Sequence, residues 1–389
     1  MNRLRLLDIL RGFAILGTLG TNIWLFATLG DFTLFLGGNS KWWEQVDTSM
    51  MMIFAFFTNG KFLALLTILF GAGLELKRRK LQKTKGLWPW MYIWTAFLLF
   101  LDGLLHYILV FEYDILMSYA VTAIIVSFIV TKSKRVMKWV IGICIGLHLL
   151  IVSLLTVSFQ MLVKVPALSQ ELKIEMMEVS ALYMTGTWLE QVQMRLTDFW
   201  ALRSEAIMVL PMNILLFLLG VLFVRSGVFM MDEQGRMKRR KLLIYGLLFG
   251  IPLNALTFVP GGFFDISVRY LFAPVLSLGY LGLLAWMLER AEHSFLLSRF
   301  EEVGKVALSC YILQNIASSI LFYGWGFGLS EHYSGLNTFI IWLAICMLMF
   351  MFAHLWLRFF TLGPVEYVWR TLGNLPLKRL KHHHTHTPQ

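Results

Sequence analysis

The chain has 389 residues, of which 58% are hydrophobic and 15% are charged, and its mean hydropathy is +0.69. A water-soluble domain of this composition would expose a very large apolar surface, so the composition excludes that class and predicts an integral membrane protein. The net charge of +11 does not indicate nucleic-acid binding. The basic residues lie in short loops between apolar runs, as the positive-inside bias of membrane proteins requires.

Hydropathy predicts an all-α fold, a polytopic transmembrane helical bundle of about ten spans. We assign the spans to residues 9–29, 50–76, 88–110, 115–131, 136–159, 200–224, 242–259, 267–288, 303–324 and 336–360. In this interpretation residues 1–376 form a single transmembrane domain, and residues 377–389 form a basic, histidine-rich cytoplasmic tail.

Clusters of Lys and Arg alternate along the chain so that all of them fall on one side of the predicted membrane. The larger clusters lie at residues 77–85, 132–138, 236–241 and 290–305. With an even number of spans, this pattern predicts a multi-pass protein of the cell membrane with both termini in the cytoplasm.

The first span carries Asp8 and Arg11 at its leading edge and Asn22 near its far end. Its apolar run is too long for a signal peptide and contains Arg11, so we expect it to remain as a span. Asp8 and Arg11 are three residues apart, which predicts an ion pair on one helix face. Guanidinium groups also suit phosphate, so Arg11 either serves that pair alone or faces the bundle interior and holds an anionic group.

The second span, residues 50–76, would be roughly 40 Å long as one straight helix, which exceeds the ~30 Å hydrocarbon core. The polar run Thr58, Asn59, Gly60 and Lys61 interrupts it near the middle. This pattern predicts a broken or strongly tilted helix. Lys61 is either a structural charge or a site residue.

The third span offers the most specific arrangement of chemical groups. Asp102 and His106 are four residues apart, so they share a helix face and can form a carboxylate–imidazole hydrogen bond. Such a carboxylate would orient the ring and raise its basicity, as a general base requires. Glu112 and Asp114 follow directly after this span. The alternative is a buried histidine that only satisfies a helix neighbour.

Residues 160–199 form a long segment between spans five and six, with charged and apolar residues at helical spacing. This amphipathic pattern predicts a helix that lies on the outer surface of the bundle or on the membrane. A lid over an outward-opening cavity is the alternative interpretation.

Two later positions are further candidates. Arg269 follows Asp265 near the start of span eight, where it either binds an anion or pairs with Asp265. Gln314 lies between Tyr311 and Asn315 in a polar stripe of span nine. The stripe is either hydrogen-bonded glue between helices or a surface that faces substrate.

The remaining motifs argue against several classes of site. No zinc-protease, serine-hydrolase, Walker or dinucleotide-binding pattern occurs in a suitable context, so we expect no metal cofactor. Cys144, Cys310 and Cys346 lie far apart in separate spans and are expected to be free structural thiols. His148 and His354 stand alone on apolar faces, which is typical of satisfied core residues.

Five stretches of the sequence, taken in order, resemble the YeiB-like family of bacterial multi-pass membrane proteins. They are LLDILRGFAILGTLGTNI, KFLALLTILFGAGLEL, DGLLHYILVFEYDILMSYAV, VGKVALSCYILQN and GPVEYVWR. The resemblance covers nearly the whole chain. That family is usually grouped with transmembrane acyltransferases, which include the sugar O-acetylases of bacterial surface polysaccharides and the lysosomal heparan glucosaminide N-acetyltransferase.

The resemblance implies roles for individual residues. In the O-acetylases an arginine and a catalytic histidine occupy the first span at the spacing that separates Arg11 from Asn22 here. In the heparan enzyme the same spacing ends in asparagine, and a histidine elsewhere does the chemistry. This pattern implies that His106, with Asp102, is the base and that Asn22 donates a hydrogen bond to substrate or to an oxyanion.

Together, these patterns lead to the hypothesis of a membrane-bound acyltransferase. It would move an acyl group from a cytoplasmic donor, plausibly acetyl-CoA or another acyl-CoA, to a hydroxyl or amine at the outer face. The acceptor would be a glycan, a lipid or a small molecule. Membrane lipid would surround the bundle, which either works as a monomer or assembles into an oligomer. The residues expected to bind donor or substrate are Arg11, Asn22, Lys61, Asp114, Arg269 and Gln314. The alternatives are a transporter or flippase-like module for a lipid or small solute, and a non-catalytic membrane scaffold.

Overall fold

The computed structural model describes residues 4–31, 42–83 and 87–376, so the predicted tail at residues 377–389 lies outside the described residues. The described chain consists of helices joined by short connections, and it contains no β-strand. The helices are α1 (Arg5–Ala27), α2 (Val46–Thr58), α3 (Lys61–Gln82), α4 (Trp90–Leu109), α5 (Leu116–Ile129), α6 (Lys134–Lys164), α7 (Pro166–Thr185), α8 (Trp188–Thr197), α9 (Phe199–Leu202), α10 (Ser204–Met208), α11 (Leu210–Ser226), α12 (Glu233–Ala255), α13 (Asp265–Ser267), α14 (Ala273–Arg290), α15 (Phe295–Lys305), α16 (Ala307–Phe322), α17 (Gly335–Phe359) and α18 (Pro364–Gly373). The predicted all-α fold class is confirmed.

Seven helical segments of the described chain are long and apolar enough to cross a membrane. They correspond to α1, to α2 with α3, to α4, to α6, to α12, to α13 with α14, and to α17. Helices α15 and α16 meet at 89° and add an eighth if the bent pair is one span. Helices α5 and α11 have 14 and 17 residues, fewer than the ~20 that a straight span requires. The polytopic bundle is confirmed, and helix length supports seven or eight of the ten predicted spans.

Basic residues gather at one end of the bundle, which we call the basic face. At this end Arg225 donates to Glu75 Oε2 at 3.0 Å and to the Val130 carbonyl at 2.9 Å, joining α11 to α3 and to the end of α5. Arg239 pairs with Glu289 and joins α12 to α14. We call the other end the opposite face. Which side of the membrane each face meets stays a prediction.

Helix α1 is buried along most of its length and crosses α15 with almost no space between the two backbones. A Cβ atom at Gly12 would lie 1.9 Å from the Phe300 carbonyl oxygen, and one at Gly304 would lie 1.8 Å from the Asp8 carbonyl oxygen. Small residues permit this close approach between membrane helices. Next to the crossing, Asp8 accepts a hydrogen bond from Arg11 at 3.0 Å, so the predicted ion pair is present.

The predicted break in the second span is also present. Helix α2 ends at Thr58, α3 begins at Lys61, and Gly60 between them has φ = +78°, a conformation that glycine adopts without strain. Lys61 is fully buried, and its Nζ donates to the Ala55 carbonyl at 3.1 Å. This bond gives the buried ammonium an acceptor, and the same carbonyl also accepts from the Asn59 N–H at 2.9 Å. Of the two alternatives for Lys61, the structural charge fits this geometry.

The segment at residues 160–199 is helical, and its second half is fastened to the bundle. Tyr183 of α7 donates to Glu112 Oε2 at 2.7 Å, and Arg195 of α8 donates to the Ile108 carbonyl at 2.7 Å. Burial, together with the negative charge of Glu112, raises the pKa of Tyr183 well above its ordinary range, so this hydroxyl stays a donor. The short helices α9 and α10 continue the segment over the opposite face.

Candidate functional site

A buried histidine lies where α4, α16 and the loop after α4 meet. The Nδ1 atom of His106 lies 3.1 Å from Asp114 Oδ1, and its Nε2 atom lies 3.2 Å from the side-chain nitrogen of Asn315. A carboxylate accepts and an amide nitrogen donates, so the neutral ring that satisfies both partners carries its proton on Nδ1. Nε2 is then the acceptor nitrogen, which is the atom that a general base uses.

The predicted hydrogen bond between Asp102 and His106 is wrong. Both ring nitrogens bond to other residues, and Asp102 Oδ2 has no hydrogen-bond partner among the described residues. Helical spacing does put Asp102 one turn before His106, but Asp114 approaches the ring from a loop, and spacing along one helix cannot register that contact. The orienting carboxylate is Asp114, which had been predicted to bind substrate or donor.

Asp114 is held firmly because its loop folds back into the bundle. Its Oδ2 atom accepts from the backbone N–H of Met117 at 3.1 Å, and its Oδ1 atom accepts from the Tyr311 hydroxyl at 3.3 Å. Gly103 permits this approach, since a Cβ atom there would lie 2.8 Å from Asp114 Oδ2. A carboxylate fixed in this way orients the imidazole and stabilises its protonated form.

Hydrogen bonds continue from His106 to the first span. Asn315 Oδ1 accepts from Asn22 Nδ2 at 3.5 Å, so α16 links the predicted site residues of the first and third spans. Gln314 donates to Thr18 Oγ1 at 3.4 Å. Of the alternatives for the polar stripe, bonding between helices therefore describes Gln314, whereas Asn315 belongs to the histidine site.

A cavity of about 100 Å³, which we call the lid cavity, lies beneath α9 and α10 on the opposite face. Asn22 and Asp114 line it, whereas His106 does not; His106 contacts Asp114 directly and is linked to Asn22 through Asn315. Leu202 and Glu205, from α9 and α10, line this cavity, and we call residues 199–208 the lid. The lid begins where the predicted outer segment, residues 160–199, ends, and it lies almost entirely in the predicted sixth span. Within the outer segment itself α7 is largely exposed, as the surface-helix interpretation requires, and no residue of the segment lines this cavity.

Arg269 lies on the wall of the lid cavity, in the π-helical turn Val268–Phe272 that joins α13 to α14. It donates to Asn59 Oδ1 at 3.0 Å and to Glu205 Oε1 at 2.9 Å. The guanidinium therefore bonds to the carboxylate of Glu205 in the lid, and Asp265, the alternative partner, accepts from Thr257 Oγ1 at 3.4 Å. Such π-helical turns occur frequently at functional sites.

A larger cavity of about 870 Å³, the basic cavity, opens at the basic face. Its lining includes the cationic residues Arg11, Lys77, Arg79, Lys80 and Arg370. An apolar extension of about 260 Å³, the inner pocket, shares Arg11, Lys77, Thr95 and Trp369 with it and continues into the bundle. At the junction Lys77 Nζ donates to Thr95 Oγ1 at 2.7 Å. The bundle therefore offers a cationic entrance that leads to an apolar pocket.

The inner pocket and the lid cavity reach the same level of α3 on different sides of the helix, because Leu66 lines the first and Thr67 lines the second. Between them the Phe70 ring lies 4.9 Å from the Tyr119 ring, and the Tyr119 hydroxyl lies 2.9 Å from Thr67 Oγ1. We call Thr67, Phe70 and Tyr119 the partition. Within the described structure, no single open cavity joins Arg11 to His106.

Lys61 does not lie at the basic cavity. It lies sixteen residues before Lys77 on α3, which corresponds to about 24 Å at ~1.5 Å per residue. Lys61 therefore does not share the basic cavity with Arg11, and its predicted role in binding donor or substrate stays a prediction. Arg11 does line both basic-face cavities, as that hypothesis requires.

Sequence reasoning missed Glu205 and Tyr119. Glu205 fell inside a predicted span, and its charge in an apolar run was the available signal. Tyr119 carried no such signal, because a tyrosine in an apolar helix is ordinary. Only the distances across the bundle reveal its position between the two cavities.

The sequence is similar to one family model and to uncharacterised bacterial proteins. A family model described as a protein of unknown function (DUF418) matches residues 223–375. The chain is 27% identical to the uncharacterised protein YxaH of Bacillus subtilis (strain 168), over 95% of this chain and 94% of that protein. It is also 27% identical to the uncharacterised protein YeiB of Escherichia coli (strain K12), over 96% of each. The resemblance to the YeiB-like family is confirmed. No solved structure matches the chain significantly.

The two kinds of similarity cover different parts of the site. The DUF418 match begins at residue 223, so it contains Arg269, Gln314 and Asn315 but not His106 or Asp114, which lie in the N-terminal half. The similarities to YxaH and YeiB cover nearly the whole chain. None of these names carries an activity, so the relationship to acyltransferases stays a prediction.

Proposed function

We propose that the protein transfers an acyl group from a donor in the basic cavity to a hydroxyl or amine in the lid cavity. One observation carries the proposal: two cavities lie toward opposite faces and reach the same level of α3, and one of them is lined by Asp114, the partner of the buried His106. A transferase that works across a membrane needs two separate entrances and a proton acceptor near their meeting point. This arrangement supports such a reaction.

The basic cavity suits an anionic nucleotide donor such as acetyl-CoA or another acyl-CoA. Arg11, Lys77 and Lys80 supply positive charge for its phosphates. The inner pocket extends from Lys77 to Leu66 along α3, which is about 16 Å at ~1.5 Å per residue, and it suits the narrow pantetheine arm. The thioester would then reach the partition, with the acceptor on the other side.

His106 supplies the general base in this proposal. As the acceptor oxygen or nitrogen attacks the thioester carbon, its proton passes to His106 Nε2, and Asp114 stabilises the imidazolium. When the carbon–sulfur bond breaks, the same proton passes to the departing thiolate. An acceptor hydroxyl reaches Nε2 by displacing the Asn315 amide, and Asn22 can then donate a hydrogen bond to the developing oxyanion.

Binding of labelled acetyl-CoA to purified protein in nanodiscs tests the donor site. We expect saturable binding that Lys80→Ala weakens, because Lys80 lines the basic cavity. Lys132→Ala is the matched control, since Lys132 is exposed and outside the lining of that cavity. Absence of saturable binding at millimolar acetyl-CoA would contradict the proposal.

Transport of a lipid or small solute is the second candidate, because two cavities separated by a closed partition also describe an occluded path. Flux through liposomes that survives His106→Ala favours transport, whereas loss of acyl transfer in that variant favours the enzyme. A protein that supports neither flux nor transfer, with donor binding absent, would be a scaffold with the same fold.

A further inference from the structure

The lid is joined to the wall of its cavity by a pair of opposite charges. Glu205 Oε1 accepts from Arg269 at 2.9 Å and from the Tyr270 hydroxyl at 2.7 Å. Glu205 lies on α10, and both donors lie on the π-helical turn. We call these contacts the latch. A second lid residue, Arg203, donates to the backbone carbonyl of Asp114 at 2.8 Å.

The two sides of the latch differ in how firmly they are held. The backbone of Arg269 packs closely against Gly60, where a Cβ atom would lie 2.5 Å from the Arg269 carbonyl oxygen. Its guanidinium also donates to Asn59 Oδ1 at 3.0 Å. Helices α9 and α10 have four and five residues and bury none of them. The Glu205 side chain is 43% exposed against 16% for Arg269. Opening is therefore expected to move Glu205 and to leave Arg269 in place.

The closed cavity is too small for most substrates. A cavity of about 150 Å³ holds a molecule the size of benzene, and the lid cavity has about 100 Å³. A larger acceptor that enters through the lid separates Glu205 from Arg269. That movement leaves a largely buried guanidinium without its counter-charge, which is costly unless another anion replaces the carboxylate.

We propose that the natural ligand of the lid cavity carries an oxyanion group, a phosphate or a carboxylate, that takes the place of Glu205 on Arg269 and so opens the lid. The ligand is exchanged for an internal carboxylate that is also negatively charged, and the guanidinium of Arg269 suits either kind of oxyanion. The inference rests on the proposed function only in naming this ligand the acyl acceptor.

Hydrogen exchange of residues 198–209 in nanodiscs of zwitterionic lipid, without acyl donor, tests the exchange of anions. In the wild type, inorganic phosphate should accelerate exchange in this segment saturably, whereas chloride at equal ionic strength should not. Glu205→Gln should exchange roughly 1.5- to 5-fold faster without phosphate, as loss of a partly exposed ion pair predicts. By linkage, it should bind phosphate more tightly by about the same factor.

Two further variants make the outcome specific. Arg269→Gln also breaks the latch, so it should exchange fast but bind no phosphate. Glu190→Gln removes an exposed carboxylate that caps α8 in the outer segment, away from the latch, and it should behave as wild type toward phosphate. Acetate in place of phosphate separates carboxylate from phosphate preference, and nanodiscs that contain anionic phospholipid separate a lipid headgroup from a free anion.

Equal phosphate binding by the wild type and Arg269→Gln would overturn the inference, as would slower exchange of the lid on adding phosphate. A different result would show that the proposed function fails while the anion site is correct. If the protein transfers no acyl group yet phosphate opens the lid through Arg269, the anion site stands and acyl transfer falls.

Discussion

At the scale of single residues, the two partners of His106 differ in how easily they can be replaced. Asp114 is fixed by the Met117 N–H and the Tyr311 hydroxyl, so its bond to Nδ1 persists when the ring becomes charged. Asn315 makes one neutral bond to Nε2, of a kind whose net contribution is only about 1 kcal/mol. An entering hydroxyl can therefore displace the amide without disturbing the carboxylate.

We predict that His106→Ala and Asp114→Asn each lower the rate of acyl transfer by roughly 10²–10⁴-fold, the usual contribution of general-base catalysis. Asp114→Asn replaces a carboxylate that can only accept with an amide whose nitrogen can donate to Nδ1, which allows the wrong tautomer. The measurement is single-turnover transfer with the variants reconstituted in nanodiscs. Asp102→Asn is the matched control, since its carboxylate does not hold the ring, and it should transfer at nearly the wild-type rate. Equal losses at Asp102 and Asp114 would contradict the geometry.

A residue of the site could be predicted from the sequence when the signal for it lies within a single helix. His106, Arg11 and Asn22 were recognisable because polar groups in apolar spans are costly and stand out. The hydrogen bond from His106 to Asp114 could not be recognised in this way, because Asp114 lies on a loop that turns back into the bundle. Hydropathy and helical spacing report which residues share a face, but they carry no information about where a loop returns.

At the scale of elements, the bend between α15 and α16 depends on a carboxylate from the far end of the chain. Glu366 of α18 accepts from the backbone N–H groups of Leu308 at 2.7 Å and Ser309 at 3.2 Å. These are among the first N–H groups of α16, which have no partner within the helix. Two stretches that carried the family resemblance, VGKVALSCYILQN and GPVEYVWR, thus meet as a helix and its cap.

We predict that Glu366→Ala lowers the midpoint of thermal unfolding by roughly 1–4 °C, the shift expected from loss of an N-terminal helix cap in a chain of this size. The cause is that two N–H groups and the Ser309 hydroxyl lose their acceptor. A thermal scan of the purified protein measures the shift. Glu233→Ala, which removes an exposed acidic residue at the start of α12, should leave the midpoint nearly unchanged. Equal shifts in both variants would exclude a specific cap.

The sequence predicted one of the two breaks in the helices and missed the other. The break at Gly60 was visible because four polar or small residues interrupt an apolar run. The 89° bend before α16 was not, because α15 is amphipathic and was assigned mostly to a loop. Hydropathy measures how apolar a segment is, whereas the direction of a helix depends on what it packs against.

At the scale of the whole molecule, the two cavity systems are separated by a thin layer. Phe70 and Tyr119 are in ring contact, and the Tyr119 hydroxyl bonds to the α3 backbone at Leu63 as well as to Thr67. The composition could predict the bundle and its basic end, since these follow from hydropathy and loop charge. It could not predict the partition, because neither aromatic residue differs in sequence from one that faces lipid.

We predict that Tyr119→Ala joins the inner pocket to the lid cavity and makes the protein leaky. Loss of the ring leaves a gap between the apolar inner pocket and the lid cavity, whose lining includes Asn22, Asp114 and Arg269, and water held by these polar groups can fill the gap. Release of a trapped small anion from proteoliposomes measures the leak. Tyr119→Phe keeps the ring and should stay as tight as wild type. Phe128→Ala, on the exposed side of the same helix, controls for a lost aromatic ring.

Removal of a buried ring costs about 3–5 kcal/mol, so folding of Tyr119→Ala must first be verified by gel filtration. Folded Tyr119→Ala liposomes that hold the anion as well as wild type would place the barrier elsewhere, and wild-type liposomes that already release it would favour transport over acyl transfer.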